Sequence, residues 1–177
     1  MRDFLLIGGM VLVAILVGGV LFFFGPASLQ SDVNSAISAN GGSTSTSTVS
    51  YTVLVQGTNA LSVTGRSNYR IRTNDDLKTL WVLIYGDHGV SAIPTVDFSK
   101  YEVLAIFDGT HSNGGYTVQV KSLTDANAQR LVVVDHVTPG STCVTTSSIT
   151  SPFQLIQVPK TTFPLTHTDE TRVSACP

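Results

Sequence analysis

Charge is scarce in this chain. Lysine, arginine, aspartate and glutamate make up 12% of 177 residues, and the formal net charge is −2. The basic residues are scattered, so no positive stripe exists to grip a phosphate backbone, and nucleic acid is excluded as a partner. Glutamate occurs only as Glu102 and Glu170, which leaves little material for paired acid–base carboxylates. There is no Cys-x-x-Cys and no His-Glu-x-x-His, and His88, His111, His136 and His167 do not stand at ligand spacing. His167 with Asp169 and Glu170 is the one set that a metal would fit, and it reads better as a solvated polar tail. No Gly-x-Ser-x-Gly elbow is present, and Asn113-Gly114-Gly115 lacks the lysine and helix of a phosphate loop. The expectation is a non-catalytic protein with no metal and no cofactor.

Basic residues are missing altogether between Arg2 and Arg66. Within that gap, Phe4 to Phe24 is an uncharged apolar run. As a helix it would span roughly 30 Å, about one hydrocarbon core. A cleaved signal peptide has a shorter apolar region, and the small-residue pattern at Gly25-Pro26-Ala27 has a proline in its middle. A core helix would not be apolar on every face. Residues 1–25 are therefore read as a single transmembrane anchor. Arg2 keeps the N-terminus in the cytoplasm and the rest is placed outside the cell or in the periplasm. Residues 26–50 end in Gly41-Gly42-Ser43-Thr44-Ser45-Thr46-Ser47-Thr48 and are too polar to repay their ordering entropy, so they read as a flexible linker.

Residues 51–177 carry the domain. Tyr51, Val53 and Val55 alternate with polar positions; Leu61 to Val63 and Tyr69 to Arg72 read as short strands, the latter an edge strand because of its arginines. One helix is predicted, with Thr73 or Asn74 as cap, Asp75 and Asp76 in the first turn, and Leu77, Leu80, Trp81 and Ile84 on one face until Gly86. Val103 to Phe107 is a buried strand, and Tyr116, Val118 and Val120 line one face of another, expected to run antiparallel to it. Leu131 to Val134, Cys143 to Thr146 and Phe153 to Val158 complete the β pattern, while Thr161 to Pro177 reads as a polar tail. The fold class is α+β and mainly β: a small antiparallel sandwich or barrel-like domain with one helix. In an exported protein Cys143 and Cys176 pair by default, with free thiols or an intermolecular bond as the alternatives.

The connection between the two central strands, Asp108 to Gly115, is longer than a tight hairpin needs. Asp108, His111 and Ser112 lie close together there, but without a catalytic frame a polar loop is the simpler reading. Gly109, Thr110, His111, Ser112, Asn113, Gly114, Gly115 and Tyr116 are the candidate protein-binding surface. Gly114 and Gly115 are equally well explained by backbone geometry.

These features together resemble a known family. Val96-Asp97-Phe98-Ser99-Lys100, the apolar strand, Gly109 and Gly114-Gly115-Tyr116 are similar to the C-terminal domain of the protease complex subunit PrcB family. Pro139-Gly140, Cys143, the run Thr150 to Lys160 and the helix around Leu80-Trp81 fit the same order. The best of the resemblance runs from Val96 to Lys160. It departs at Asn113, where the family usually has threonine. The resemblance implies a displayed accessory domain that binds another exported protein, with a protease as the candidate partner. The Gly-Gly-Tyr loop is also reminiscent of chagasin-like cysteine-peptidase inhibitors, so inhibition through residues 109–116 is the alternative. A hydrolase ranks third.

Overall fold

The computed structural model describes residues 45–87 and 92–176. The anchor read over 1–25 and most of the linker lie outside these residues. Among the described residues, no helix is long and apolar enough to cross a membrane.

Among the described residues, eight strands and one helix follow in the order β1 (Ser47–Thr48), β2 (Thr52–Gly57), β3 (Ser67–Ile71), α1 (Asn74–Tyr85), β4 (Tyr101–Phe107), β5 (Thr117–Ala126), β6 (Gln129–Pro139), β7 (Phe153–Pro159) and β8 (Leu165–Ser174). They build two four-stranded sheets, β1-β5-β6-β8 and β2-β7-β4-β3. Both sheets are open, so the barrel-like alternative gives way to a sandwich. All pairs are antiparallel except β6 and β8, which run parallel over ten residue pairs from Arg130↔Leu165 to Pro139↔Ser174.

Three layers result. Leu104, Ile106, Ile156 and Val158 of the second sheet meet Val118, Val120, Leu123, Val132 and Val134 of the first. On its other face the second sheet presents Val103, Ala105, Phe107, Phe153 and Leu155 to Leu77, Leu80, Trp81 and Ile84 of α1. Strands β4 and β7 are thus covered on both faces, which is why their sequences are continuous apolar runs rather than alternating ones. The helix has the expected ends. Thr73 caps it by accepting from the Asp76 N–H at 3.1 Å, and Gly86 closes it at φ +77°. Trp81 is 6% exposed and packs against Tyr85 at 4.7 Å, in the core as its spacing predicts.

Several expectations are corrected. Strands β4 and β5 do not pair; they belong to different sheets. The long connection between them is an intersheet crossing, and its length is set by the roughly 10 Å between packed sheets. Leu61 to Val63 is not a strand, because the segment's N–H groups turn to the end of α1: Leu61 N bonds Ile84 O and Ser62 N bonds Leu83 O. Cys143 to Thr146 is an irregular loop that follows a turn at Ser141 and Thr142. The supposed tail is strand β8, with Asp169 and Glu170 in its middle. The end of the linker segment enters the domain: Ser47 and Thr48 pair with Asp125 and Thr124.

Two local devices shape the first sheet. The register of β5 slips between Val120 and Ser122, so Lys121 is a bulge and the buried face passes from Val118 and Val120 to Leu123. The β5–β6 hairpin turns through Asn127 and Ala128 at φ 53° and 55°, the left-handed pair of a type I′ turn. The Cys143–Cys176 disulfide is formed and ties the end of β8 to the loop after β6.

Two outcomes are expected in chemical denaturation. Ala128→Gly, which relieves a left-handed alanine, stabilises the domain by about 0.5–1 kcal/mol. Cys143→Ser with Cys176→Ser opens a closed loop of sequence separation 33 and lowers stability by about 3–4 kcal/mol.

Candidate functional site

Strand β4 sends Glu102, Leu104 and Ile106 into the space between the sheets, and Asp108 follows just beyond the strand's end. Asp108 is buried, its side chain only 2% exposed. A lone carboxylate there would be prohibitive, and the fold supplies partners from two other segments and from the loop itself. Arg66 Nη2 donates to Oδ1 at 2.9 Å. His136 Nδ1, from β6, lies 2.6 Å from Oδ1, and His111 Nε2, from the loop itself, lies 2.7 Å from Oδ2. Burial alone would raise the carboxyl's pKa. The hydrogen bonds from His136 and His111, with the positive charges of His136 and Arg66, more than reverse that and hold it at about 2 against an ordinary 3.8. The outer ring of the cluster comes from β8. Asp169 Oδ1 is 3.5 Å from His136 Nε2, Asp169 Oδ2 is 3.8 Å from Arg66, and His167 Nε2 is 4.0 Å from Asp169.

The predicted loop is bound into the domain along its length. Thr110 N bonds Thr64 O, His111 and Thr150 exchange backbone bonds, and Gly114 N bonds Thr146 O. Asn113 Nδ2 donates to Thr145 Oγ1, and its carbonyl accepts from Thr150 Oγ1. A threonine hydroxyl in place of Asn113 would lack the amide that reaches Thr145. Gly109 stands at φ +84°, where a Cβ would lie 2.9 Å from the Arg66 backbone nitrogen, and Gly115 stands at φ +93° beside Pro139. Both glycines are demanded by backbone geometry. His111 stacks on Tyr116 with ring centroids 3.8 Å apart. Of the eight candidates, Thr110, Ser112 and Gly115 are exposed, His111, Asn113 and Tyr116 are partly covered, and Gly109 and Gly114 are buried.

The residues that might have formed a triad or a metal site are not brought together. Ser112 Oγ points to Asn113 Oδ1 at 3.4 Å, and His111 is committed to Asp108. Glu170 pairs with Lys121 on the outer face of β8, whereas Asp169 faces Arg66 and His136. Among the described residues no group of three His, Cys, Asp or Glu suits a metal ion. What the arrangement can do is hold a rigid, hydrogen-bonded loop at one end of the sandwich. Arg66, His136 and Asp169 were missed from the sequence because three separate segments contribute them. One signal was available: His136 shares the inward parity of Val132 and Val134, and a buried histidine requires a polar partner.

Asp108→Asn is expected to cost about 3 kcal/mol, because it removes the buried carboxylate on which His136, His111 and Arg66 converge. Asp108 has a folded pKa of about 2, depressed from 3.8, so its contribution is complete above pH 3.8 and fades as pH falls toward 2. Denaturation of the wild type between pH 5 and about 2 should show this loss, and Asp108→Asn should flatten it.

Residues 103–159 match the family model described as PrcB C-terminal. Comparison with curated proteins and with solved structures returned no match. The matched stretch, from Val103 within β4 to the end of β7, is similar to the PrcB C-terminal domain, and Asp108 and the intersheet loop lie inside it.

Proposed function

We propose that the protein is a membrane-anchored, extracytoplasmic accessory domain that binds another exported protein, and that it serves as the non-catalytic subunit of a protease complex. The observation that carries this reading is the PrcB C-terminal match over residues 103–159. The Cys143–Cys176 bond supports an oxidising compartment. The apolar run from Phe4 to Phe24, followed by a Ser/Thr-rich stretch, supports display on a tether.

The contact surface in this reading is the exposed crest of the 109–116 loop, Thr110 and Ser112, beside the half-covered His111–Tyr116 stack. Its backbone bonds to Thr64, Thr146 and Thr150 fix the crest before any partner arrives, which lowers the ordering cost of association. The same rigidity favours the second reading, in which the loop enters a peptidase cleft as an inhibitor.

Crosslinked pull-down of the full chain from the native cell envelope is expected to recover a protease. Ser112→Arg with Thr110→Arg should weaken that recovery by tenfold or more while the thermal transition stays in place; both side chains are exposed and outside the Asp108 cluster. Gly115 is unsuited to this test, since any side chain at φ +93° strains the loop itself. Stoichiometric inhibition of a peptidase panel, lost in the same variant, selects the second reading. Recovery of no exported partner and inhibition of no peptidase would refute both.

A further inference from the structure

The two sheets have four edges, and three of them are blunted. Strand β2 carries a register break between Val53 and Val55. Strand β3 has only five residues and is bracketed by Arg66 and Arg72. The β1 edge is two residues long, and the rest of β5 behind it is closed by side chains from elsewhere. Gln56 Nε2 donates to Val118 O, the Tyr51 hydroxyl donates to Val120 O, and Gln154 Oε1 accepts from Val120 N at 2.7 Å.

The fourth edge is different. Strand β8 keeps regular register with β6 over ten residues, without a bulge or a proline. In a parallel pair, alternate residues of the outer strand direct both N–H and C=O away from the neighbour. The disulfide draws the chain after Ser174 back toward Gly140 and Cys143, on the β6 side, so the end of the strand does not fold over this edge. Val173 remains 65% exposed on it. Among the described residues no strand pairs with this edge, and a long edge strand in regular register is a template for another strand whose charges match its own.

The charges on β8 select the occupant. Glu170 and Arg172 stand two residues apart on the outer face, where Glu170 meets Lys121 and Arg172 meets Asp135. We infer that β8 pairs antiparallel with β8 of a second copy about a two-fold axis at Thr171. That register sets Glu170 opposite the second copy's arginine 172 and Arg172 opposite its glutamate 170. The outer face then carries an alternating row, with each arginine between Asp135 of its own chain and a glutamate of the other. The two first sheets join into one continuous sheet. Two anchored copies would meet at high local concentration, so a modest strand interface suffices.

A single added cysteine tests the register in the full chain held in mild detergent. Thr171→Cys lies on the axis, about 5 Å from its own counterpart, and should form a covalent dimer under mild oxidation. Thr166→Cys is displaced from its counterpart by roughly 30 Å and should not. In the Thr171→Cys background, Glu170→Arg or Arg172→Glu alone should lower the dimer yield about tenfold, because each makes two repulsive contacts. The double exchange also sets an arginine against Lys121 and a glutamate against Asp135 within each chain, and where the thermal transition stays in place it should restore the yield. The inference is overturned if folded Thr171→Cys protein does not crosslink, if Thr166→Cys crosslinks equally, or if the double exchange fails to rescue. Capture of a different protein's extended segment on β8, with this chain remaining monomeric, would also overturn it.

Discussion

The architecture depends on one buried carboxylate, Glu102. It is 0% exposed in the intersheet layer, and its oxygens take a bidentate grip from Arg70 at 2.8 and 2.9 Å and a third bond from Arg72 at 3.1 Å. The same arginines reach past it to the backbone. Arg70 bonds the carbonyls of Phe163 and Thr161, and Arg72 bonds Thr161 as well. Arg130, itself locked to Asp125 by two bonds, holds the carbonyl of Pro159. The chain leaving β7 is thus fixed at residues 159, 161 and 163 before β8 begins. That grip explains how β8, parallel to β6, is placed. A parallel neighbour needs a crossover from one sheet to the other, and here arginine forks rather than a helix define its path. Removing Glu102 would leave the buried Arg70 guanidinium without its carboxylate and would loosen the crossover that it holds.

Glu102 and Asp108 are the two polar ends of one strand face, with Leu104 and Ile106 between them. Each carboxylate gathers cations from both sheets, so the apolar layer is closed at both ends by ionic clusters. This frame sets the register of the sheets against each other, since a slip by one residue would point both carboxylates into the helix-facing core. The intersheet loop therefore starts from a fixed point, and the rigidity of its crest follows from the strand rather than from the loop's own sequence.

The elements that were legible in the sequence are those whose signals are local. The helix, its cap at Thr73, its buried face and the apolar strands β4 and β7 follow from periodicity and capping chemistry. Pairing was not legible. Val103 to Phe107 and Thr117 onward look like a hairpin because adjacent strands usually pair, and nothing local reports that one lies in each sheet. Strand β8 was hidden by its composition, since an edge strand with one solvated face, rich in threonine and charge, resembles a tail. Its partner β6 and the remote Arg66 make sense of it only in three dimensions. At the site, Asp108 and His111 were adjacent in sequence and are hydrogen-bonded, while His136 and Asp169 arrive from β6 and β8.

The disulfide has a consequence for how the domain withstands proteolysis. The segment between Cys143 and Ser151 has no regular secondary structure until Thr150, and Val144 is 102% and Ile149 71% exposed. It is the natural site of a proteolytic nick. Because that segment lies inside the ring closed by Cys143 and Cys176, a cut after Val144 severs the backbone without separating the pieces. Strands β7 and β8 stay tethered through sulfur to the end of β6, and both sheets remain complete.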